Sequence, residues 1–362
     1  MQEGTWTIAG QSGPSESPDL RSMLPEELRD LMAAWGEPPF RAKQIFSWCA
    51  KGASSIDDMT NLSKSLRMAL KEHFRLSAPV ILQRQQSRKD GTIKYLFGLH
   101  DGNAVESVLM HYEHGTSLCI SSQVGCRMGC TFCASTIGGL VRSLTAGEIL
   151  EQVIFAGLDS GERIDSLVLM GIGEPFDNYD NVIKFFRLVN HPDGINLGLR
   201  HISVSTCGVV PGIYRLAQEG MPVTLSISLH APNNSLRTAM MPINRKYPLE
   251  ELVEAARHYA KSTGRKVYIE YTLISGKNDS EAHARELAAR LKGILCHVNL
   301  IPLNPVDGKS NVSSDRRVIE RFAQVLKSCG VSSTVRRKLG DDIDAACGQL
   351  RRSSIKEQDH EI

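Results

Sequence analysis

The sequence predicts an α/β protein: a partial (β/α)6 barrel preceded by a small helical domain and a short β extension. Three observations carry this. From Ser117 onward, short apolar runs alternate with amphipathic segments of helical length, the pattern of a parallel sheet with helical crossovers. Between Ser22 and Phe74 the apolar residues fall at helical spacing instead, since side chains three or four apart share a helix face. Between Ile81 and Met110 the texture is strand-like on both sides of Asp90-Gly91, a dipeptide suited to a tight hairpin turn.

The elements follow in order. The opening stretch, MQEGTWTIAGQSGPSESPDL, has no basic start, apolar core or small-residue cleavage site, so it does not read as an export signal, and residues 1–21 are expected to be a disordered tail. A helical accessory domain spans 22–76, with Leu24, Leu28, Leu31 and Met32, then Ile45, Phe46 and Trp48, then Leu62, Leu66 and Leu70 as its inward positions. Pro38 and Pro39 separate two of its helices, because proline lacks the amide hydrogen and clashes with the preceding turn. The β extension covers 77–113. In the core, 114–340, strands SLCIS, SLVLMG, HISVS, VTLSISL, VYIEYTL, HVNLIPL and STVRR interleave with helices TAGEILEQVIFAG, NVIKFFRLV, GIYRLAQ, LEELVEAARHYA, EAHARELAARLKG and RRVIERFAQVLKSC. About six such units suit a partial barrel better than the complete eightfold one. Residues 341–362 form a C-terminal segment with a polar end.

Bulk properties narrow the class. With 362 residues, 41% hydrophobic and 23% charged, the chain is neither disordered nor fibrous. No apolar run approaches the roughly 20 residues of a membrane span, so no membrane association is expected. A net charge of +2 does not demand a nucleic-acid partner but permits one where basic residues cluster. They do so at Arg84, Arg88, Lys89 and Lys94, and at Arg336, Arg337 and Lys338. Nine cysteines without an export signal favour metal binding or thiol chemistry in the cytoplasm over disulfides.

The strongest chemical signal is Cys126, Cys130 and Cys133, in CRMGCTFC, directly after the first core strand. A [4Fe-4S] cluster ordinarily takes four cysteines, so three on one loop leave one iron open for a substrate or cofactor. Gly125 and Gly129 let the backbone turn closely there. Structural zinc, with Cys119 or a histidine as fourth ligand, and three unrelated buried thiols remain as alternatives, although zinc sites more often use separated cysteine pairs. In an α/β barrel ligands bind at the carboxyl ends of the strands, where Gly171 to Pro175, Ser205, Thr206, Ser228, His230 and Asn304 lie.

The CxxxCxxC loop resembles that of the radical S-adenosylmethionine superfamily, and Gly173-Glu174-Pro175 resembles the segment that holds the cofactor's methionine amino group. The resemblance then narrows. SLCISSQVGCRMGCTFCAS, LTAGEI, GIGEP, SLHAP, MPIN, VNLIPLNP and DIDAACGQL, in this order, are similar to the RNA adenine-C2 methyltransferases, from about Leu24 onward and including RAKQIF and MTNLS. Ser143 and Ile172 depart from it, where asparagine and methionine are common.

The resemblance implies a radical-SAM barrel and methylation of C2 of a specific adenine in the peptidyl transferase region of 23S rRNA, and of an anticodon-adjacent adenine in tRNA. It implies a [4Fe-4S] cluster on Cys126, Cys130 and Cys133, with two S-adenosylmethionine molecules used per turnover. Cys347 would carry the methyl group as S-methylcysteine, Cys119 would release the RNA by a transient disulfide with Cys347, and Glu106 would accept the C2 proton. Cofactor contacts would come from Gly173, Glu174, Ser205, Ser228, Leu229, His230 and Asn304. The expected partners are rRNA, tRNA and an electron donor such as flavodoxin or ferredoxin, with the enzyme a cytoplasmic monomer. Two alternatives stand beside this: methylation of adenine C8 in rRNA by the same design, and a non-catalytic iron-sulfur or zinc RNA-binding regulator.

Overall fold

The structure is a computed structural model that describes residues 17–76, 78–304 and 310–343. Three helices come first, α1 (Pro25–Ala34), α2 (Phe40–Ala50) and α3 (Lys64–His73). They bury Leu28, Met32, Ile45, Phe46, Leu66 and Leu70, the periodic positions read from the sequence. Ser63 starts α3 by accepting a hydrogen bond from the Leu66 amide at 3.2 Å, the usual service of an N-cap serine.

A ten-stranded sheet forms the body. Its strands are β1 (Val80–Gln86), β2 (Ile93–Gly98), β3 (Ala104–Tyr112) and β4 (Gly115–Cys119), then, after a two-stranded ribbon of β5 (Gln123–Gly125) and β6 (Leu140–Ser143), β7 (Ser166–Leu169), β8 (Ile202–Thr206), β9 (Thr224–Ser228), β10 (Val267–Leu273), β11 (Cys296–Pro302) and β12 (Ser333–Val335). From β4 onward neighbouring strands of the sheet are parallel and follow chain order. The crossovers carry α4 (Ala146–Ser160), α5 (Tyr179–Asn190), α6 (Val210–Gln218), α7 (Asn234–Met240) with α8 (Leu249–Thr263), α9 (Glu281–Leu291) and α10 (Arg316–Ser328). This is the partial (β/α)6 barrel expected, with β12 as a short seventh strand.

The LTAGEI stretch is a helix start. Thr145 accepts from the Glu148 amide at 3.1 Å, and Glu148 returns a bond to the Thr145 amide at 2.9 Å, a capping box that satisfies two orphan donors at once. Gly161, at φ 69°, closes the other end of α4.

Three features differ from the sequence reading. The fold begins before Ser22: Leu20–Ser22 forms a 3-10 turn, and Arg21 is buried, bonding Glu151 of α4 at 3.2 Å and the Cys49 and Ala53 carbonyls at 2.8 Å. The stretch looked like a tail because a single apolar residue, Leu20, docks it into the core beside a buried arginine. Secondly, β1 to β3 continue the main sheet through the antiparallel β3–β4 pair, and the β1–β2 turn is a longer loop, with Gln86 opposite Ile93. Thirdly, Lys94 is not part of a surface basic cluster; it points inward and is fully buried. No helix among the described residues is long and apolar enough to cross a membrane.

Candidate active site

One cavity of about 570 Å³ lies at the carboxyl ends of the parallel strands. Cys126, Cys130 and Cys133 all line it. Their loop leaves β5 through Gly125, whose φ of 79° L-residues rarely adopt, and a Cβ there would collide with the Gly139 carbonyl. The close approach makes room for a hydrogen bond from the Cys126 amide to that carbonyl at 2.9 Å. Thr136 ties the loop's far end, donating to the Cys130 carbonyl at 3.3 Å and the Cys133 carbonyl at 3.0 Å. From below, the Thr131 amide bonds the Met240 carbonyl of α7 at 2.9 Å.

Burial pushes the Cys126 thiol up to about 12 and raises Cys130 as well, with Cys133, Cys126 and Glu174 adding to the effect there. These thiols keep their protons until a metal displaces them. Among the described residues no three Cys, His, Asp or Glu side chains converge on one point for a single ion. Three sulfurs on one loop facing a common cavity fit a group that offers them separate irons, as a [4Fe-4S] cubane does.

Beside the loop, the segment after β7 forms the second wall. Gly173 has φ 111°, and a Cβ there would stand 2.7 Å from Cβ of Gln123 and 2.8 Å from its amide nitrogen. Only glycine lets the two backbones meet. Glu174 is buried, and its carboxylate accepts from the Phe176 amide at 3.0 Å and the Cys207 amide at 2.7 Å. Burial raises its pKa, and these amide bonds oppose the rise.

Ser205 and Ser228 face each other across β8 and β9 with their hydroxyls 3.5 Å apart, and both line the cavity. His230 sits at φ 56°, its Nδ1 accepting from the Thr272 amide at 2.9 Å. Its proton therefore resides on Nε2. Burial, then the Arg237 charge, lowers it to about 3, so the ring is neutral at working pH and presents a donor to the cavity it lines. Asn304 lies on the same wall. Leu229 does not: its side chain is buried in the main apolar core, its amide donates to the Glu270 carbonyl at 3.1 Å, and its carbonyl accepts from Arg237.

Cys119, the last residue of β4, also lines the cavity. It packs with Val108 and Met110, and with Leu339, just before the C-terminal segment. The β1–β2 loop holds that segment in place: Asp90 accepts from the Gly340 amide at 2.8 Å, Ser87 donates to Asp342 at 2.6 Å, and Lys89 pairs with Asp341 at 2.9 Å. Exposed Arg337 and Lys338 stand at the rim with Arg336. Cys347, a few residues on, lies outside the described residues. Glu106, on the β3 face that also carries Val108 and Met110, forms an ion pair with Lys94 at 3.0 Å, their side chains 3% and 0% exposed.

Three residues of this region escaped the sequence reading, and a fourth, Lys94, was read in another role. Gln123 accepts from the Glu174 amide at 2.9 Å and so orients the second wall. Arg237 is buried under the cysteine loop. Lys94 partners Glu106. Glu270 lines the cavity from β10; a lone acidic residue within the apolar run VYIEYTL was the signal available for it.

Comparison with known proteins agrees with this geometry. Residues 120–288 match the Radical SAM superfamily, and residues 18–76 match the ribosomal RNA large subunit methyltransferase N-terminal domain. The chain is 54% identical to a probable dual-specificity RNA methyltransferase RlmN of Desulforamulus reducens, over 92% of this chain and 96% of that protein. It is 51% identical to the Clostridium tetani protein of the same description, over 95% and 99%. A radical SAM methyltransferase from Sphaerobacter thermophilus superposes with a TM-score of 0.87 at 46% identity, covering 92% of this chain and 98% of that one. A radical SAM fold implies S-adenosylmethionine and a [4Fe-4S] cluster, which the three-cysteine loop fits. With its barrel, its cysteine loop and its N-terminal domain all accounted for, the chain belongs to the RlmN family of radical SAM RNA methyltransferases.

Proposed function

We infer that this enzyme methylates carbon 2 of an adenine in 23S rRNA and of an anticodon-adjacent adenine in tRNA, through a methyl group carried on Cys347. The observation that supports this most is the meeting of three elements in one cavity: the Cys126, Cys130 and Cys133 loop, Cys119, and the 336–343 segment that leads to Cys347. C2 of adenine is an electron-poor carbon bearing hydrogen, so it does not attack a sulfonium methyl as an ordinary nucleophile would. Cys126, Cys130 and Cys133 would hold a [4Fe-4S] cluster, which would supply the one-electron chemistry on S-adenosylmethionine that such a carbon requires.

The chain's own residues do the rest. Gly173, Glu174, Ser205, Ser228, His230 and Asn304 hold the cofactor along the strand ends. Cys347, as a thiolate, takes a methyl group from a first S-adenosylmethionine. Glu106 accepts the C2 proton of the adduct, its buried charge compensated meanwhile by Lys94. Cys119 then forms a disulfide with Cys347 as the bond from the Cys347 sulfur to the RNA-bound methylene breaks; the methylene takes up a proton to become the methyl group, and the one electron left over passes to the redox partner. Arg336, Arg337 and Lys338 contact phosphates at the cavity rim, which positions RNA without reading its sequence. The helical domain, 22–76, adds a second RNA surface, where exposed Phe40 lies beside Lys43, Trp48 and Lys51 along one groove. The enzyme acts as a cytoplasmic monomer with a flavodoxin- or ferredoxin-type donor.

The test is anaerobic reconstitution, then incubation with S-adenosylmethionine, a low-potential reductant and either an rRNA fragment or tRNA, with nucleosides identified by mass spectrometry. 2-Methyladenosine in both RNAs is the expected product. 8-Methyladenosine would move the enzyme to the other ring carbon, and the absence of 5'-deoxyadenosine would favour a non-catalytic regulator.

A further inference from the structure

Helix α7 carries Arg237 into the interior, where its exposure is 0%. The guanidinium donates from Nε to the Leu229 carbonyl at 3.3 Å, from one terminal nitrogen to Asn244 Oδ1 at 2.9 Å, and from the other to the Cys207 carbonyl at 2.6 Å. All three acceptors are neutral. Among the described residues no carboxylate acts on it; the ionisable side chains that favour its charge are the thiols of Cys207 and Cys130, both raised by burial. A buried charge without an opposite charge is costly, and proteins generally avoid one.

The surroundings suggest where the missing negative charge arrives. The helix that bears Arg237 ends at Met240, whose carbonyl holds the cysteine loop through Thr131. Cys126, Cys130, Cys207, Met240 and Met241 pack as one buried group, with Cys133 against it. Burial lowers Arg237 only to about 10, so it stays charged at neutral pH.

We propose that Arg237 is the buried counter-charge of the anionic cluster on Cys126, Cys130 and Cys133, a positioning residue that secures the cluster and favours its one-electron-reduced form. This rests on the assignment of the cluster to those three cysteines. Loading it displaces the thiol protons, and three thiolates leave the assembly net negative. When a low-potential donor adds one electron, no bond changes and the negative charge grows by one unit. A fixed cation nearby attracts the reduced form more strongly. Arg237 also ties the ends of β8 and β9 to the turn at Asn244, a role any good hydrogen-bond donor could share, so charge is the property to test.

The protein with Arg237→Gln and Arg237→Lys would be reconstituted anaerobically beside the wild type, checked for fold by circular dichroism, assayed for iron and sulfide, and titrated with dithionite against an electron paramagnetic resonance signal. At an effective dielectric of about 20, a unit charge within roughly 10 Å changes such an equilibrium about tenfold. Arg237→Gln is therefore expected to lower the reduction equilibrium constant about tenfold, a midpoint about 59 mV more negative for one electron, or to lose iron while keeping its fold. Arg237→Lys should stay within about threefold of the wild type. An unchanged cluster in the Gln variant, or equal shifts in both variants, would overturn the proposal. Should the Gln variant fail to fold, the Lys variant decides alone: lysine keeps the charge but cannot reach three acceptors, so a wild-type midpoint supports the charge role and a shifted one rejects it. A wild-type protein that bound no iron and sulfide would instead reject the cluster assignment.

Discussion

Gly125→Ala is expected to loosen the cysteine loop. The backbone there has φ 79°, and forcing an L-residue into the left-handed region costs about 1–2 kcal/mol. The added Cβ would also collide with the Gly139 carbonyl, which accepts the Cys126 amide at 2.9 Å. Relieving the collision lengthens that bond, and losing one such bond costs about 1 kcal/mol. Together these give about 2–3 kcal/mol, located where the first cluster cysteine leaves the ribbon. Gly138→Ala serves as the control, because Gly138 has φ 84° but nothing within 4 Å of a Cβ; it should show the conformational cost alone. The assay is thermal melting of the apo protein with iron content after reconstitution. Gly125→Ala should melt about 5 °C lower, following the usual scaling of about 2–4 °C per kcal/mol, and retain less iron than Gly138→Ala. Equal behaviour of the two variants would show that the contact with Gly139 does not shape the loop.

Lys94→Met leaves Glu106 buried without its ion-pair partner and should cost about 3–5 kcal/mol in urea unfolding, much of it recovered in the Lys94→Met/Glu106→Leu double variant. A Cys119→Ala enzyme should accumulate a covalent protein-RNA adduct, visible as a retarded band on denaturing gels; free RNA with normal methylation would refute the release role. Acid should detach the 340–342 segment. Partial burial pushes Asp90 up, but hydrogen bonds from Gly340, Thr92 and Ser87 outweigh it and bring the carboxyl down to about 2. A depressed folded-state value means the anchoring is complete above the ordinary carboxylate value of about 3.9 and is lost as pH falls from there towards 2. Hydrogen exchange at the Gly340 amide should accelerate over that range, and Asp90→Asn should already exchange fast at neutral pH.

Much of the molecule was legible in the residues alone, for reasons that are local. Amphipathic spacing is written in consecutive residues, so α4, α5, α8, α9 and α10 and the parallel strands could be placed before any coordinates. The same holds for Cys126, Cys130 and Cys133, since a loop that short brings its own side chains together. Glycine at 125 signalled tight backbone, but that it meets Gly139, and that Gly173 meets Gln123, was not readable. The Asp19–Ser22 turn was misread because a buried arginine holds it, and composition alone treats arginine as a surface residue.

The sequence by itself determined the element order, the strand-end location of the cavity, and which three cysteines share one loop, because each depends on neighbours along the chain. Tertiary structure decided which distant residues meet. It turned Lys94 inward onto Glu106, brought Leu339 against Cys119, and set Arg237 beneath the cysteine loop without a carboxylate partner. Those pairings follow from sheet register and helix docking, where burial makes each unmatched charge expensive, and no window of consecutive residues contains that information.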